Sequence, residues 1–325
     1  MTHVLVCGGA GYIGAHMAKA LARANCKVTV FDNLSTGHRA AVRWGDLVEG
    51  DLLDKAALAT LFATHQFDAV MHFCALSQVG ESVRHPYAYY ENNVTGTLNL
   101  LEAMRHASVD RLVFSSTAAV YGLPVADYLD ESHPTSPINP YGASKLMVER
   151  MLADAAQAYG LRSVALRYFN AAGADPDGEI GESHTPETHL IPNVLRNALG
   201  EGNGLRIFGN DYGTRDGTCV RDYVHVADLA SAHLLAMRYL DAHPGAHHFN
   251  LGSGHGYSVM EVIDAACQVT GKSIPFAVEP RRAGDPPTLV ADSSRAADVL
   301  GWRPSFDAMP AIIETAWRWH RAPRY

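Results

Sequence analysis

The chain has 325 residues, 47% of them hydrophobic and 18% charged, with a formal net charge of −8 at pH 7. This suits a soluble globular protein built as one large domain or two intimately joined lobes. The acidic balance argues against nucleic acid or an anionic membrane surface as the main partner, while leaving room for an anionic ligand held by local arginines. Five scattered cysteines lack C-x-x-C spacing, and seventeen histidines show no H-E-x-x-H or similar cluster, so no metal is expected. Neither a leader-like segment nor an apolar run long enough for a bilayer stands out, which fits a reducing cytoplasm.

The chain opens on an apolar strand at 4–7 that breaks at Gly8, and a helical pattern starts near Tyr12. Gly8, Gly11 and Gly14 make G-x-x-G-x-x-G. Such glycines permit a tight turn, close approach of backbone N–H groups to a pyrophosphate, and close helix–sheet packing, with the positive end of the helix facing the phosphates. A plain strand–helix turn has the same glycines. The second strand, 28–31, ends in Asp32, placed to accept bonds from the adenosine ribose hydroxyls; an acid here favours NAD over NADP, because it repels a 2′-phosphate.

A polar loop at 33–38 leads to a third short strand at 47–51. Helical spacing follows through Leu53, Ala57, Leu58 and Leu61, and a fourth buried strand is predicted over 69–75. A single long helix is predicted over 86–105, then a strand at 111–117, a helix at 141–159 and a strand at 163–168. Strands alternating with helices give a doubly wound parallel sheet, an α/β Rossmann fold. Beyond Asn170 the chain is rich in Gly, Pro, Asp and Asn. It carries a short helix at 190–199, a β-like run at 205–208, a helix at 226–240, a strand at 248–251 and helices around 258–270 and 308–319. The expected division is a first lobe of 1–170 plus about 223–252, and a smaller, discontinuous α/β lobe of 171–222 plus 253–325. Ligands of such sheets sit beyond the carboxyl ends of the strands, so the cleft between the lobes is the candidate active site.

The sharpest local pattern is Tyr141-Gly142-Ala143-Ser144-Lys145. Positions i and i+4 share a helix face, so phenol and ammonium point the same way. A tyrosine ionises near pH ~10; a neighbouring lysine cation and a positive nicotinamide ring would draw that value down, making the phenolate a base for a sugar hydroxyl while hydride leaves the same carbon. Tyr and Lys one turn apart also occur as surface pairs. Here a strand ending in Ser115-Ser116-Thr117 precedes them and supplies hydroxyls to the same cleft.

These motifs resemble the extended short-chain dehydrogenase/reductases, and within them the UDP-sugar 4-epimerases of the NAD-dependent epimerase/dehydratase family. The likeness extends over Val79-Gly80-Glu81-Ser82-Val83, Asn92-Asn93-Val94, Arg167-Tyr168-Phe169-Asn170, Ile207-Phe208-Gly209-Asn210-Asp211-Tyr212 and Val220-Arg221-Asp222-Tyr223, nearly end to end. The resemblance implies a reversible interconversion of UDP-galactose and UDP-glucose through a 4-keto sugar, with NAD as cofactor and a homodimer joined through 86–105 and 141–159. It implies Thr117, Tyr141 and Lys145 as the catalytic set. It puts Tyr12 and Ile13, then Asp32, Asn33, Leu34, Ser35, Thr36 and Gly37, then Asp51 and Leu52 along the cofactor. Phe73, Cys74, Ala75, Ser77, Asn92 and Phe169 continue that path. Asn170, His189, Leu190, Arg206, Ile207, Phe208, Arg221 and the stretch 282–285, with Arg282 and Asp285, fall where the family grips the nucleotide sugar. Paired guanidinium bonds suit a diphosphate; for Arg221 and Arg282 the alternative is a local ion pair with Asp222 and Asp285.

Some positions depart from the family pattern. Thr117 replaces a frequent serine, Cys74-Ala75 an Ala-Gly, and Ser77 a lysine found in some members. Leu289 stands near the position thought to gate N-acetylated sugars and leaves that specificity open; UDP-pentoses and UDP-uronates stay open because the same C4 chemistry serves them. A 4,6-dehydratase needs an Asp-Glu pair after the threonine; Ala118-Ala119 cannot do acid/base work. An NAD-sensing protein without catalysis is the other alternative, and Tyr141 and Lys145 argue against it.

Overall fold

The computed structural model describes residues 1–202, 204–282 and 285–325. The first six strands are β1 (His3–Cys7), β2 (Lys27–Asp32), β3 (Asp46–Glu49), β4 (Ala69–His72), β5 (Arg111–Thr117) and β6 (Arg162–Tyr168). After them come β7 (Asn170–Ala172), β8 (Leu205–Phe208), β9 (Val220–His225), β10 (Ala246–Leu251), β11 (Gly256–Ser258), β12 (Phe276–Glu279) and β13 (Thr288–Leu289). The main sheet is parallel throughout, in the order β10-β6-β5-β4-β1-β2-β3. Its order turns round between β1 and β4, which is where open sheets of this kind leave a crevice for a ligand. The smaller sheets are β11-β9-β13 with β7 added to β9, and the pair β12-β8.

The helices are α1 (Tyr12–Arg23), α2 (Lys55–Thr64), α3 (Val79–Arg84), α4 (Pro86–Tyr89), α5 (Gly96–His106) and α6 (Pro140–Tyr159). Later in the chain lie α7 (Leu190–Leu199), α8 (Val226–Tyr239), α9 (Val259–Thr270) and α10 (Met309–Arg321). Strand β1 has no solvent-exposed side, which explains its unbroken apolar reading rather than an alternating one. On one face Met17 and Leu21 of α1 pack with Leu229 and Ala236 of α8; on the other Leu58 and Leu61 of α2 pack with Leu100, Val148 and Leu152 of α5 and α6. A third core joins α7, α9 and α10 through Val194, Leu195, Val262, Ile263, Ile312 and Ile313.

Three expectations are corrected. The single helix predicted over 86–105 is interrupted: α4 and α5 flank a π-helical turn, Tyr90–Thr95, within which Asn93 is buried. The fourth strand ends at His72 rather than at 75, because the chain leaves the sheet there to make a loop and then α3. The strand β9 was not anticipated; the consecutive charged residues Arg221 and Asp222 interrupt its apolar run, and it reads poorly as a strand until β7, β11 and β13 are seen to flank it.

Candidate active site

The turn after β1 is built from close backbone approaches. Gly8 has φ +82°, and a Cβ there would lie 2.7 Å from the Cys74 nitrogen; a Cβ on Gly14 would lie 2.1 Å from the Gly8 carbonyl oxygen. Gly11 differs: a Cβ there meets only the Gly8 oxygen, at 3.4 Å, so the fold itself leaves that side open. Gly11 begins α1 with no side-chain cap, so the first N–H groups of the helix, at Tyr12 and Ile13, are left for a ligand. The buried Asp32 carboxylate braces the turn, accepting the Ala10 N–H at 2.9 Å and the Leu34 N–H at 2.8 Å. Gly37 stacks against Ala10, and Asn33 donates to the Asp51 carboxylate at 2.8 Å, which brings the 33–37 loop and the Asp51–Leu52 corner to the same end of the sheet. An uncapped helix start over an open glycine, with an acid at the next strand end, fits the pyrophosphate and ribose of a dinucleotide.

Thr117 closes β5 opposite Tyr168 of β6 and bonds the Ala119 N–H at 3.1 Å. Asn139 caps α6, accepting the Gly142 N–H at 2.9 Å, and so fixes the first turn that carries Tyr141. Lys145, one turn on, is buried over the Phe114 ring and donates to the Ser115 carbonyl at 2.8 Å. Burial brings the Lys145 ammonium down to about 7. Burial also pushes the Tyr141 phenol above its usual value, with the Thr117 hydroxyl pulling it the other way. In the chain by itself, desolvation of the phenolate outweighs any help from an ammonium turned toward Ser115.

Sequence reasoning took Asn92 as the cofactor contact of its pair and missed the part played by Asn93. Asn93 accepts the Leu76 N–H at 2.9 Å and donates to the Leu76 carbonyl and the Ser144 hydroxyl, both at 3.0 Å. It thereby ties the loop carrying Phe73, Cys74, Ala75 and Ser77 to α6, one residue from Lys145. Also unread were Glu149 and Arg167, a buried ion pair at 2.6 Å behind the same helix, to which Ser116 donates at 2.5 Å. Glu149 follows Lys145 by one turn, so the spacing was there to see.

Toward the smaller sheets, Asn170 donates to the Asp222 carbonyl at 2.8 Å, and Arg221 pairs with Asp285 at 2.5 Å. Arg221 therefore makes an ion pair, the alternative considered from sequence, but with Asp285 rather than with the adjacent Asp222. Asp222 is instead buried and takes the N–H groups of Ser253, Gly254 and Ala291, and the Arg282 guanidinium lies 3.9 Å above the Phe208 ring. Ala283 and Gly284, inside the 282–285 stretch, lie outside the described residues. Leu289 neighbours Arg221 in the β13–β9 ladder and packs with Ala118 and Phe169. Ile207 is buried in β8, Arg206 is exposed near Glu279, and His189 precedes Leu190 at the start of α7. His189 does not stand alone: Glu182, His184 and Glu187 gather around it, a grouping of histidines with carboxylates that the sequence spacing did not suggest.

Residues 4–252 match the model of the NAD dependent epimerase/dehydratase family. The chain is 52% identical over 318 residues to the UDP-glucose 4-epimerase of Lacticaseibacillus casei, covering 98% of this chain and 96% of that one. The crystal structure of UDP-glucose 4-epimerase from Brucella ovis in complex with NAD is 52% identical, with TM-score 0.95 over 98% of each chain. The enzyme from Bifidobacterium longum, crystallised with NAD+ and UDP, is 39% identical, with TM-score 0.95 over 99% of each. The family model takes in residues 4–252 and the relatives span nearly the whole chain, which therefore belongs to the NAD dependent epimerase/dehydratase family.

Proposed function

We propose that the protein is a UDP-glucose 4-epimerase that interconverts UDP-galactose and UDP-glucose with NAD as its cofactor. The observation that carries this is the convergence of Thr117, Tyr141 and Lys145 at the end of β5, beside the open glycine turn and without a carboxylate at Ala118 or Ala119. Residues 1–170 with about 223–252 hold the cofactor: Gly8 to Gly14 face its pyrophosphate, Asp32 to Gly37 its adenosine ribose, Asp51 and Leu52 its adenine. Phe73, Cys74, Ala75, Ser77, Asn92 and Phe169 flank the remainder, and Lys145 meets the nicotinamide ribose. Residues 171–222 with 253–325 hold the nucleotide sugar through Asn170, His189, Leu190, Arg206 to Phe208, Arg221, Arg282 and Asp285.

The first of these two sets of residues would hold NAD, whose nicotinamide would supply the redox chemistry of taking up hydride at C4 and giving it back. The chain supplies the proton chemistry and the grip. Thr117 holds the 4-hydroxyl, and Tyr141 takes its proton as general base and gives it back as general acid. Arg221 and Arg282 retain the diphosphate while the 4-keto sugar turns. A family member that expels water must also move a proton at C5, and the alanines after Thr117 offer no group for it.

The protein works as a homodimer in the cytoplasm on this reading. Val83, Tyr87, Leu98, Met147 and Tyr159 leave apolar surface exposed on the helices of 79–106 and on α6, a face suited to a second copy. The five cysteines are free, as a reducing compartment would keep them, and among the described residues no helix is long and apolar enough to cross a membrane.

Purified protein given UDP-galactose without added cofactor is expected to form UDP-glucose, resolved by chromatography. Failure with and without NAD, while UDP-pentoses or UDP-uronates convert, would move the substrate assignment; failure with all of them would refute catalysis. A parallel tube of UDP-N-acetylgalactosamine reads what Leu289 admits.

A further inference from the structure

The loop before α7 gathers chemistry that the redox reaction does not use. Glu182, His184, Glu187 and His189 each turn one ligand atom inward, and these atoms all lie within 4.8 Å of one another. The two carboxylate side chains are only 5% and 3% exposed. Nδ1 of His189 lies 2.7 Å from Glu182 and 3.0 Å from Glu187, and Nδ1 of His184 lies 3.1 Å from Glu182 and 3.8 Å from Glu187. Among the described residues, no lysine or arginine pairs with either carboxylate.

A second acidic group in the same protein shows the contrast. Asp175, Asp177 and Glu179 converge on the Lys19 ammonium at 2.7, 3.0 and 2.8 Å, so that a fixed cation fills their centre. The 182–189 loop has no lysine or arginine at its centre; its carboxylates are met by the two imidazoles, and Glu187 also accepts the N–H groups of Thr188 and His189 at 2.7 and 2.8 Å. A divalent cation would take the place of the imidazole protons in that grouping and leave both rings neutral.

We propose that Glu182, His184, Glu187 and His189 form a binding site for a borderline divalent cation, with zinc as the best fit. Two imidazole nitrogens and two carboxylate oxygens are a donor set such ions favour; the absence of thiolates disfavours softer ions, and the imidazoles disfavour magnesium and calcium. Ligand bonds of about 2.0–2.2 Å put tetrahedral donors about 3.4 Å apart, within the spread of spacings already present. The His184 ring stands edge-on to Tyr12, with 6.5 Å between centroids, so a cation here fastens the loop and the start of α7 to the start of α1. The site is structural, adjoining the nucleotide-sugar cleft through His189.

Untagged protein, treated with a chelator and dialysed, is titrated with zinc(II) by calorimetry and with cobalt(II) by visible absorption. One equivalent per chain is expected, with the intense ligand-field bands of tetrahedral cobalt(II) and a zinc-dependent rise in the thermal midpoint. His184→Gln and Glu187→Gln should each weaken binding at least ~10-fold, whereas Glu179→Gln, in the cluster that Lys19 fills, should leave stoichiometry and affinity unchanged. Wild-type protein without saturable one-to-one binding overturns the proposal whatever the variants do. Binding that survives both loop substitutions, or that gives the weak spectrum of six-coordinate cobalt, overturns it too.

Discussion

Tyr141 and the glycines of the first turn separate what the fold needs from what the reaction needs. Tyr141→Phe keeps the ring and removes the group that moves the proton, so turnover should drop by about 10²–10⁴-fold while the purified protein keeps its NAD absorbance. Loss of bound NAD together with turnover would reassign Tyr141 to cofactor binding. Gly8 and Gly11 should part in a different way. Gly8→Ala puts a Cβ into the Cys74 backbone at a φ of +82°, and the strain should cost about 1–3 kcal/mol or more in chemical unfolding. Gly11 has ordinary extended backbone angles as the N-cap of α1, so Gly11→Ala should cost less than about 1 kcal/mol yet abolish NAD retention. Equal stability losses at both sites would mean that Gly11 serves the fold alone. These residues were legible in the sequence because their spacing is local: three glycines in seven residues, an acid at the end of the next strand, a Tyr and a Lys one turn apart. Glu182, His184, Glu187 and His189 are just as close in sequence, but their meeting depends on how a loop without regular structure folds back, and no periodicity reports that.

At the level of elements, apolar runs and turn residues suffice for the central strands and most of the helices that cover them. The π-helical turn at Tyr90–Thr95 escapes such reading, because its sequence keeps an ordinary helical pattern and the extra residue is accommodated only for the sake of bonds made elsewhere. The strands β11 and β13 escape it too, since two or three residues in a ladder carry too little pattern to stand out, and β9 escapes it because Arg221 and Asp222 break its apolar run. Asn93 makes the case testable. Asn93→Ala leaves the Leu76 N–H and carbonyl without the partners they have at 2.9 and 3.0 Å, and half-buried groups so orphaned should cost about 1–2 kcal/mol in all. The loop of Phe73 to Ser77 is released from α6 by the same change, so NAD retention should fall with stability. A variant as stable as the parent, with its cofactor retained, would show that the π turn is not maintained for Asn93.

Over the whole molecule, four of the seventeen histidines, His16, His72, His225 and His233, are buried in the core. His16 and His233 are brought down to about 4 by burial, and His72 and His225 to about 3, so all four are neutral in the folded protein at neutral pH. His16 Nε2, His72 Nδ1 and His233 Nε2 have no hydrogen-bond partner among the described residues, which agrees with a ring nitrogen that holds no proton. In the unfolded chain the same rings take up protons near pH ~6.5. Below that pH the unfolded state therefore binds more protons than the folded one, and stability must fall as pH falls. Each group adds a slope of up to about 1.4 kcal/mol per pH unit, about 5 kcal/mol per unit for the four together, from about pH 6 down toward pH 4. Urea unfolding at a series of pH values should show a shallow dependence near neutrality and a steep loss of stability below about pH 6. His233→Leu isolates the cause. It keeps an apolar side chain between Phe73 and Tyr168, removes one titrating ring, and should lower the steep slope by about one histidine's share whatever it does to stability at neutral pH. An unchanged slope in that variant would place acid sensitivity with the carboxylates instead, and would mean that the buried rings already take up protons in the folded protein.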